Sequence, residues 1–498
     1  MIFSSITFIC FFLPAVLLVY HCMPNLLAKN FVLFVASLLF YAWGEPLYIF
    51  LMLASICLNY SSGLIIASAK AAARNSKAKK ALAGAVVVNL ALLFVFKYLG
   101  FACVIANLFL DALNIPLLKE INLLLPIGIS FYTFQEISYL VDVYRNPGLV
   151  QKSPLNLGLY VSFFPQLIAG PIVRYSDIKA QIENRYSSVD FFAKGIERFC
   201  FGLGKKVLLA NQFALVCDKI YEFAPTSFVG ARLAWIACFS YALQIYFDFS
   251  GYSDMAIGLS KMFGFSLGEN FNYPYAANSI TDFWRRWHIS LSSWFKDYVY
   301  IPLGGNRKGK LRAMANRFVV FFLTGLWHGA AFNFVFWGLG HGTLMMLERI
   351  GVSSVQNAKQ KSPPPSFLSV LRRALVLLET ALLWVLFRNS LKGTLKIFIQ
   401  MFGLYAPLEK LRGHGFLNLF PTQLIEPYVS ARFVFCLFAG AALSLPVYPK
   451  IAERVNKAGQ AVQKAFAVFK YLFLLCVLIM SLSSLAGGTY NPFIYFRF

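Results

Sequence analysis

Long runs of apolar residues follow one another along the whole chain, separated by short polar or basic loops. Each run can form a helix of ~20 residues, the length that crosses the hydrocarbon core of a bilayer. By that length the sequence predicts an all-α polytopic membrane protein with about eleven transmembrane helices. The runs lie at 5–22, 31–67 (two helices, with a break near 44–46), 81–110, 121–143, 195–217, 230–263, 318–347, 368–388, 430–448 and 468–487.

Two segments depart from this pattern. Residues 158–175 are too short for a full span and contain Pro165 and Pro171. Non-helical backbone at membrane depth is tolerated only where protein or a water-filled cavity surrounds it, so we predict a re-entrant segment there. Residues 282–298, placed on one helix, carry aromatic side chains on one face and cations on another. That arrangement is typical of a helix lying in the membrane interface.

Composition and charge agree with a membrane protein. Of the 498 residues, 59% are hydrophobic and only 13% are charged, whereas a soluble chain carries about 25% charged residues. The net charge of +24 would suggest a nucleic-acid partner in a soluble protein. Here the positive residues cluster in short loops, as the positive-inside rule describes, so we predict a bilayer, cytoplasmic basic loops and no nucleic acid. No Lys or Arg precedes the first run, so we expect an outward-facing N-terminus.

Histidine is the candidate for chemistry. Three of the five histidines, His288, His328 and His341, lie in one stretch, and the first two follow Trp287 and Trp327. An ionisable residue in a membrane segment is costly and therefore indicates function. Burial disfavours the charged imidazole, and a neutral ring can act as a general base towards a hydroxyl group.

His328 is the strongest of the three. On a helix its neighbours include Thr324, Gly325 and Ala331, whose small side chains leave room for a substrate or a closely packed helix. For His288 a structural and a chemical role are equally favoured, and for His341 packing is favoured. The sequence predicts no strand-to-helix turn that could carry a serine nucleophile, and it has no Cys/His metal-ligand spacing. We therefore predict acid/base catalysis by histidine and expect no metal. Acyl transfer to a hydroxyl is the natural reaction of such a site.

Two carboxylates lie among aromatic and small residues in the segment YFDFSGYSDMAIG. Asp248 and Asp254 need partners there or must stay protonated. Anchoring a helix is favoured over orienting a histidine. The nearby string Gly-Leu-Gly-Lys-Lys, ending at Lys206, lacks the spacing of a phosphate-binding loop and follows no predicted strand, so we exclude that interpretation.

Several stretches resemble the membrane-bound O-acyltransferase (MBOAT) family. They read FDFSGYSDMAIGLSKMFGFSLGENFNYPYAANSITDFWRRWHISLSSWFKDYVYIPLGGNRKG, LTGLWHGAAFNFVFWGLGHG, LLPIGISFYTFQEISYLVDVYR, FFPQLIAGPIVRY and FIYFRF. The likeness runs through 1–498, is specific between 126 and 342, and is weakest at 350–425. It is closest to the bacterial branch that acylates alginate, peptidoglycan or teichoic acid in the cell envelope.

The resemblance implies a fold as well as site residues. It implies one domain over 1–498, a ring of membrane helices around a central funnel. Its parts would be N-terminal helices (1–125), a catalytic core (126–347) containing the re-entrant segment, and C-terminal helices (348–498). It further implies that His328 is the principal catalytic histidine. His288 matches the family's second conserved position, where it would position the donor or assist proton transfer.

The resemblance also implies a reaction. A cytoplasmic donor, acetyl-CoA or an acylated carrier protein, would supply the acyl group, and no bound cofactor is expected. His328 would act as general base or hold the acyl group briefly. The group would pass through the inner membrane to an extracytoplasmic acetyltransferase partner that esterifies an envelope polysaccharide such as peptidoglycan or alginate.

Two alternatives stay open at this point. One is D-alanyl transfer to teichoic acid; the other is a transporter that uses the histidines as a polar pathway. Transporters commonly contain inverted repeats, and the two halves of this sequence show no internal similarity, which favours the enzyme. Arg307 and Lys308 could attract donor phosphates, although a role in topology is favoured. The full set of candidate contact residues is Trp287, Trp327, Asp254, Asn272, Arg285, Arg307 and Lys308.

Overall fold

A computed structural model describes residues 1–119, 121, 123–224, 229–352, 367–404 and 429–494. Within these ranges every regular element is helical, and no strand occurs. Several of the helices are apolar and long enough to cross a membrane. The chain is therefore an all-α polytopic membrane protein, as the sequence predicts.

Most of the described helices overlap the apolar runs, but the single run predicted over 318–347 is wrong: one helix ends at His328 and the next begins at Phe332. In chain order they are α1 (Leu13–Cys22), α2 (Leu26–Ala42), α3 (Tyr48–Ala71), α4 (Asn75–Leu93), α5 (Leu99–Ala112), α6 (Ile129–Arg145), α7 (Pro154–Ser162), α8 (Phe164–Leu167), α9 (Tyr175–Glu183), α10 (Val189–Gly204), α11 (Asn211–Phe223), α12 (Gly230–Met262), α13 (Ile280–Arg286), α14 (Ile289–Phe295), α15 (Lys310–His328), α16 (Phe332–Val352), α17 (Phe367–Arg388), α18 (Leu391–Met401), α19 (Ala431–Leu443), α20 (Val447–Asn456) and α21 (Gln460–Ala486). π-helical turns occur at Thr7–Phe12, Phe94–Tyr98, Lys205–Ala210 and Lys296–Tyr300.

Length and hydropathy identify fewer spans than the sequence pattern does. Among the described residues, four helical segments are long and apolar enough to cross a bilayer, and the pair α19 and α20, bent by 60°, makes a fifth if counted as one span. α12 falls outside this set because polar residues, Gln244 and Asp248 among them, lower its mean hydropathy. The count of about eleven spans and their arrangement as a ring around a funnel stay predictions.

The described chain divides into two compact units. The first unit comprises Met1–Phe199, Tyr252–Glu269 and Ser293–Val299. The second comprises Cys200–Gly251, Asn270–Ser292 and the described residues from Tyr300 onward. α12 begins in the second unit and ends in the first. The single domain over 1–498, with internal boundaries near 125 and 347, stays a prediction.

Polar side chains join three apolar helices of the first unit. Asn59 on α3 and Asn89 on α4 exchange two amide hydrogen bonds, at 3.0 and 2.8 Å. Ser55 on α3 donates to the Glu136 carboxyl on α6 at 2.7 Å. Hydrogen bonds of this kind hold helices together where surrounding lipid is as apolar as the side chains. They account for polar residues within otherwise apolar helices.

The segment predicted to be re-entrant is broken at the expected place. α7 ends at Ser162, Phe163 interrupts the helix, and α8 has Pro165 in its first turn. The hydroxyl of Tyr160 donates to the carbonyl of Val173 at 2.8 Å, which folds the segment back on itself. Residues 157–173 are buried within the first unit. The placement of this segment relative to the bilayer stays a prediction.

In the second unit, α15 and α16 touch through glycine. A β-carbon at Gly325 would lie 2.3 Å from the carbonyl oxygen of Phe334, and one at Gly338 would lie 2.3 Å from that of Phe321. Small residues at such contacts let membrane helices approach backbone to backbone. The close contact brings the end of α15, and with it His328, against α16.

We expect the Gly325→Val substitution to destabilise the protein by about 1–3 kcal/mol or more, because a side chain there must push the two helices apart. The measurement is the midpoint temperature of thermal unfolding of the detergent-purified protein. Gly84→Val is the matched control, since Gly84 lies on the exposed side of α4 and nothing surrounds its β-position within 4 Å. Equal midpoints for the two variants would contradict the assigned contact.

Candidate active site

The helix predicted over 282–298 is not continuous, and that prediction is wrong. α13 ends at Arg286 and α14 begins at Ile289. Between them His288 has φ of +43°, in the left-handed region. A non-glycine residue with positive φ is uncommon and cannot continue a right-handed helix. The break turns the His288 side chain into the second unit, where it is fully buried.

Asn270 holds this break in place. Its Oδ1 atom accepts hydrogen bonds from the Ser290 backbone N–H at 3.3 Å and from the Ser290 hydroxyl at 2.9 Å. Its backbone carbonyl accepts from the Ile289 N–H at 3.0 Å. The same Oδ1 lies 3.1 Å from Nδ1 of His288. Asn270 was not singled out from the sequence, and nothing in its local spacing marks it.

These contacts fix the tautomer of His288. A backbone N–H can only donate, so the Asn270 atom facing Ser290 is the amide oxygen, and Nδ1 of His288 must be protonated to bond to it. Nε2 then carries the lone pair. It is buried, and no hydrogen-bond partner for it occurs within the described ranges. His288 therefore offers an unpaired acceptor inside an aromatic cluster.

His328 is the last residue of α15, and aromatic rings hold its imidazole from several sides. Its ring centroid lies 5.0 Å from that of Trp327, 5.1 Å from that of Trp337 and 5.2 Å from that of Phe387, all edge to face. From the sequence, the small residue at Gly325 had two explanations: room for a substrate or a closely packed helix. The structure places α16 there, so a closely packed helix accounts for the glycine.

A cavity lies beside the His328 imidazole. All of its lining residues belong to the second unit, and His328 is the one ionisable side chain among them; they are Ile245, Phe249, Trp287, His328, Trp384, Phe387 and Ile494. The walls of this cavity are therefore apolar apart from one imidazole. Apolar walls of this kind exclude water.

The two histidines predicted to be catalytic, His288 and His328, lie in one aromatic cluster. Trp327 contacts both imidazoles; its ring centroid lies 5.9 Å from that of His288 and 5.0 Å from that of His328. Phe249 contacts His288 at 4.7 Å and also lines the cavity at His328. Trp287 forms another wall of that cavity. The structure thus brings together four of the predicted site residues, whose chemical roles stay predictions.

His341 lies outside the cavity lining. It is fully buried, parallel to the Phe283 ring at 6.1 Å and edge to face with Trp284 and Trp337, both at 5.1 Å. The ring of Trp337 contacts both His341 and His328. His341 is therefore part of the aromatic packing behind the catalytic candidate.

Asp254 belongs to the first unit, and its contacts are those of an anchor. The Arg198 guanidinium bonds to its carboxylate at 2.7 Å and to Glu269 at 2.5 Å. The remaining polar candidates belong to the second unit, and none of them lines the cavity; they are Asn272, Arg285, Arg307 and Lys308. Asn272 contributes its backbone, donating to the Arg286 carbonyl at 2.9 Å. Donor binding by these residues stays a prediction.

Comparison with known proteins agrees with the motifs. The family profile of MBOAT, the membrane-bound O-acyltransferases, matches residues 150–364. A probable alginate O-acetylase AlgI of Pseudomonas putida is 37% identical over 100% of both chains. A peptidoglycan O-acetyltransferase of Helicobacter pylori is 36% identical over 81% of this chain and 80% of its own. A teichoic acid D-alanyltransferase of Bacillus subtilis is 32% identical over 45% of this chain and 59% of its own.

Together with the helical fold, these similarities define the class of protein: a multi-pass membrane enzyme that transfers acyl groups. The chain belongs to the membrane-bound O-acyltransferase family. The resemblance predicted from its motifs is confirmed.

Proposed function

We propose that this enzyme takes an acetyl group from a cytoplasmic donor and passes it across the cell membrane for O-acetylation of an envelope polysaccharide. The observation that carries the proposal is the His328 imidazole in an otherwise apolar cavity. The relatives support acetyl as the group transferred. Two relatives named for O-acetylation, one of alginate and one of peptidoglycan, align over 80% or more of both chains, and a D-alanyltransferase aligns over 45% of this one.

In the proposed reaction, His328 acts as general base. Its unprotonated nitrogen takes the proton of an acceptor hydroxyl while the hydroxyl oxygen attacks the carbonyl carbon of a thioester donor. The new C–O bond forms, the C–S bond breaks, and the leaving thiolate receives the proton from His328. His288 positions the donor thioester or assists proton transfer. An acyl group held briefly on His328 is the alternative route.

The donor and the partner belong to the same proposal. Acetyl-CoA is the proposed donor, and the exposed cations Arg307 and Lys308 attract its phosphates at the cytoplasmic surface. The polysaccharide is the final acceptor, reached through an acetyltransferase on the outer face. The proposed location is the bacterial inner membrane, with the N-terminus outside.

The test compares ester-linked groups in cells with and without the gene. Peptidoglycan, exopolysaccharide and teichoic-acid fractions are treated with mild base, and released acetate and D-alanine are quantified. We expect acetate to disappear from one polymer in the deletion strain and to return with the wild-type gene. Loss of D-alanine with acetate unchanged would overturn acetyl transfer in favour of D-alanylation. No change in either would point to transport.

A further inference from the structure

A buried ion pair in the second unit has no part in the mechanism above. Lys206, in the π-helical turn after α10, places Nζ 2.8 Å from Oδ1 of Asp248 on α12, and each side chain is only 1% exposed. Removing two charges from water is costly unless further hydrogen bonds satisfy them. The additional partners of this pair therefore show what it holds.

Most of those partners lie in the segment 491–494, near the end of the described chain. Nζ of Lys206 donates to the Pro492 carbonyl, and the Ile494 N–H donates to Oδ2 of Asp248 at 3.0 Å. Asn211 accepts from Lys206 at 3.0 Å and donates to the Asn491 side chain at 3.1 Å. Residues 489–493 have no regular secondary structure, so the ion pair and Asn211 supply the bonds that a helix would otherwise provide.

The held segment reaches the candidate active site. Ile494 is 2% exposed and forms part of the same cavity lining as His328. Its backbone N–H is bonded to Asp248, and its side chain faces the cavity. The position of this wall therefore depends on a charge pair that itself lies outside the lining.

We propose that the buried Lys206–Asp248 pair clamps residues 491–494, so that Ile494 closes one wall of the His328 cavity. Lys206 and Asp248 are then positioning residues for acyl transfer. This inference rests on the proposed function for its catalytic consequence. The clamp itself is testable without any catalytic assay.

The first experiment measures how accessible the clamped segment is. Ile494→Cys is introduced, and membranes are treated with N-ethylmaleimide; labelling of the parent chain gives the background from its native cysteines. We expect the introduced thiol to be protected when the pair is intact. We expect its labelling to rise several-fold when the pair is replaced by Lys206→Met with Asp248→Leu, a change that leaves no unpaired charge. Unchanged labelling would overturn the clamp.

The second experiment measures acetyl transfer in the same paired background with Ile494 intact. We expect a fall of about 100-fold, the loss that a misplacement of about 1 Å can produce, at matched membrane levels. The control is the exposed pair Lys194 and Asp190, joined at 2.7 Å, replaced in the same way. Labelling that rises while transfer stays at the wild-type rate would overturn the positioning role.

A milder variant separates loss of the clamp from loss of folding. Asn211→Leu removes the bonds to Lys206 and Asn491 without touching a charge. In the Ile494→Cys background, we expect Asn211→Leu to increase labelling of the introduced thiol. With Ile494 intact, we expect Asn211→Leu to reduce acetyl transfer. Both changes should be smaller than those of the paired variant. If the wild type itself transfers no acetyl group, the proposed function fails while the labelling result still decides the clamp.

Discussion

Replacing His328 with alanine is expected to lower ester-linked acetate in the envelope polysaccharide by ~10²–10⁴-fold, the contribution of a general base. The imidazole is the one ionisable group in the described cavity lining, so no neighbouring side chain of that lining can take over proton transfer. The measurement is base-released acetate from cells with equal amounts of wild-type or variant protein in their membranes.

His21→Ala is the matched control for this prediction. His21 lies in the last turn of α1, in the first unit, and is exposed. We expect wild-type acetate from this variant. Wild-type acetate from the His328 variant as well would contradict the catalytic role of the imidazole in the cavity.

The second large effect concerns Asn270, which acts through His288. Asn270→Leu removes the acceptor for Nδ1 of His288 and for the Ser290 N–H, so the ring is free to change its tautomer and position. We expect a loss of about 100-fold in acetyl transfer, as expected for a misplaced catalytic group. Asn270→Asp keeps an oxygen at the same position, and we expect it to retain most of the activity.

The contrast between these two variants is the useful readout. A residue that only fills space would tolerate leucine at least as well as aspartate in this apolar surrounding. A residue that fixes the His288 tautomer requires the oxygen. Activity with leucine equal to or above that with aspartate would therefore contradict the assigned role, provided both proteins elute as single species after purification.

The local sequence pattern was enough to predict the class of fold and to identify which histidines to consider. Apolar runs of bilayer length predict membrane helices because each run satisfies its own backbone hydrogen bonds. Histidine in an apolar run is rare enough to stand out, so His288 and His328 could be singled out as candidates from the sequence. Pro165 likewise marked the broken segment. Each of these features depends on a few consecutive residues.

The sequence could not show features that depend on distant parts of the chain. The helix break at His288 is held by Asn270, which lies before α13, so helical periodicity over 282–298 gave no sign of it. Asp248 was recognised as needing a partner, but its pairing with Lys206 and with the backbone of Ile494 exists only in the folded unit.

The most direct test of acetyl transfer through His328 uses inverted membrane vesicles, which expose the cytoplasmic face. Acetyl-CoA labelled in its acetyl group is added outside, and base-labile label on polysaccharide inside the vesicles is measured over time. Transfer by the wild-type protein, and transfer lower by ~10²–10⁴-fold with His328→Ala, is the result we predict. Equal transfer by both, at equal protein levels, would contradict the catalytic role of His328.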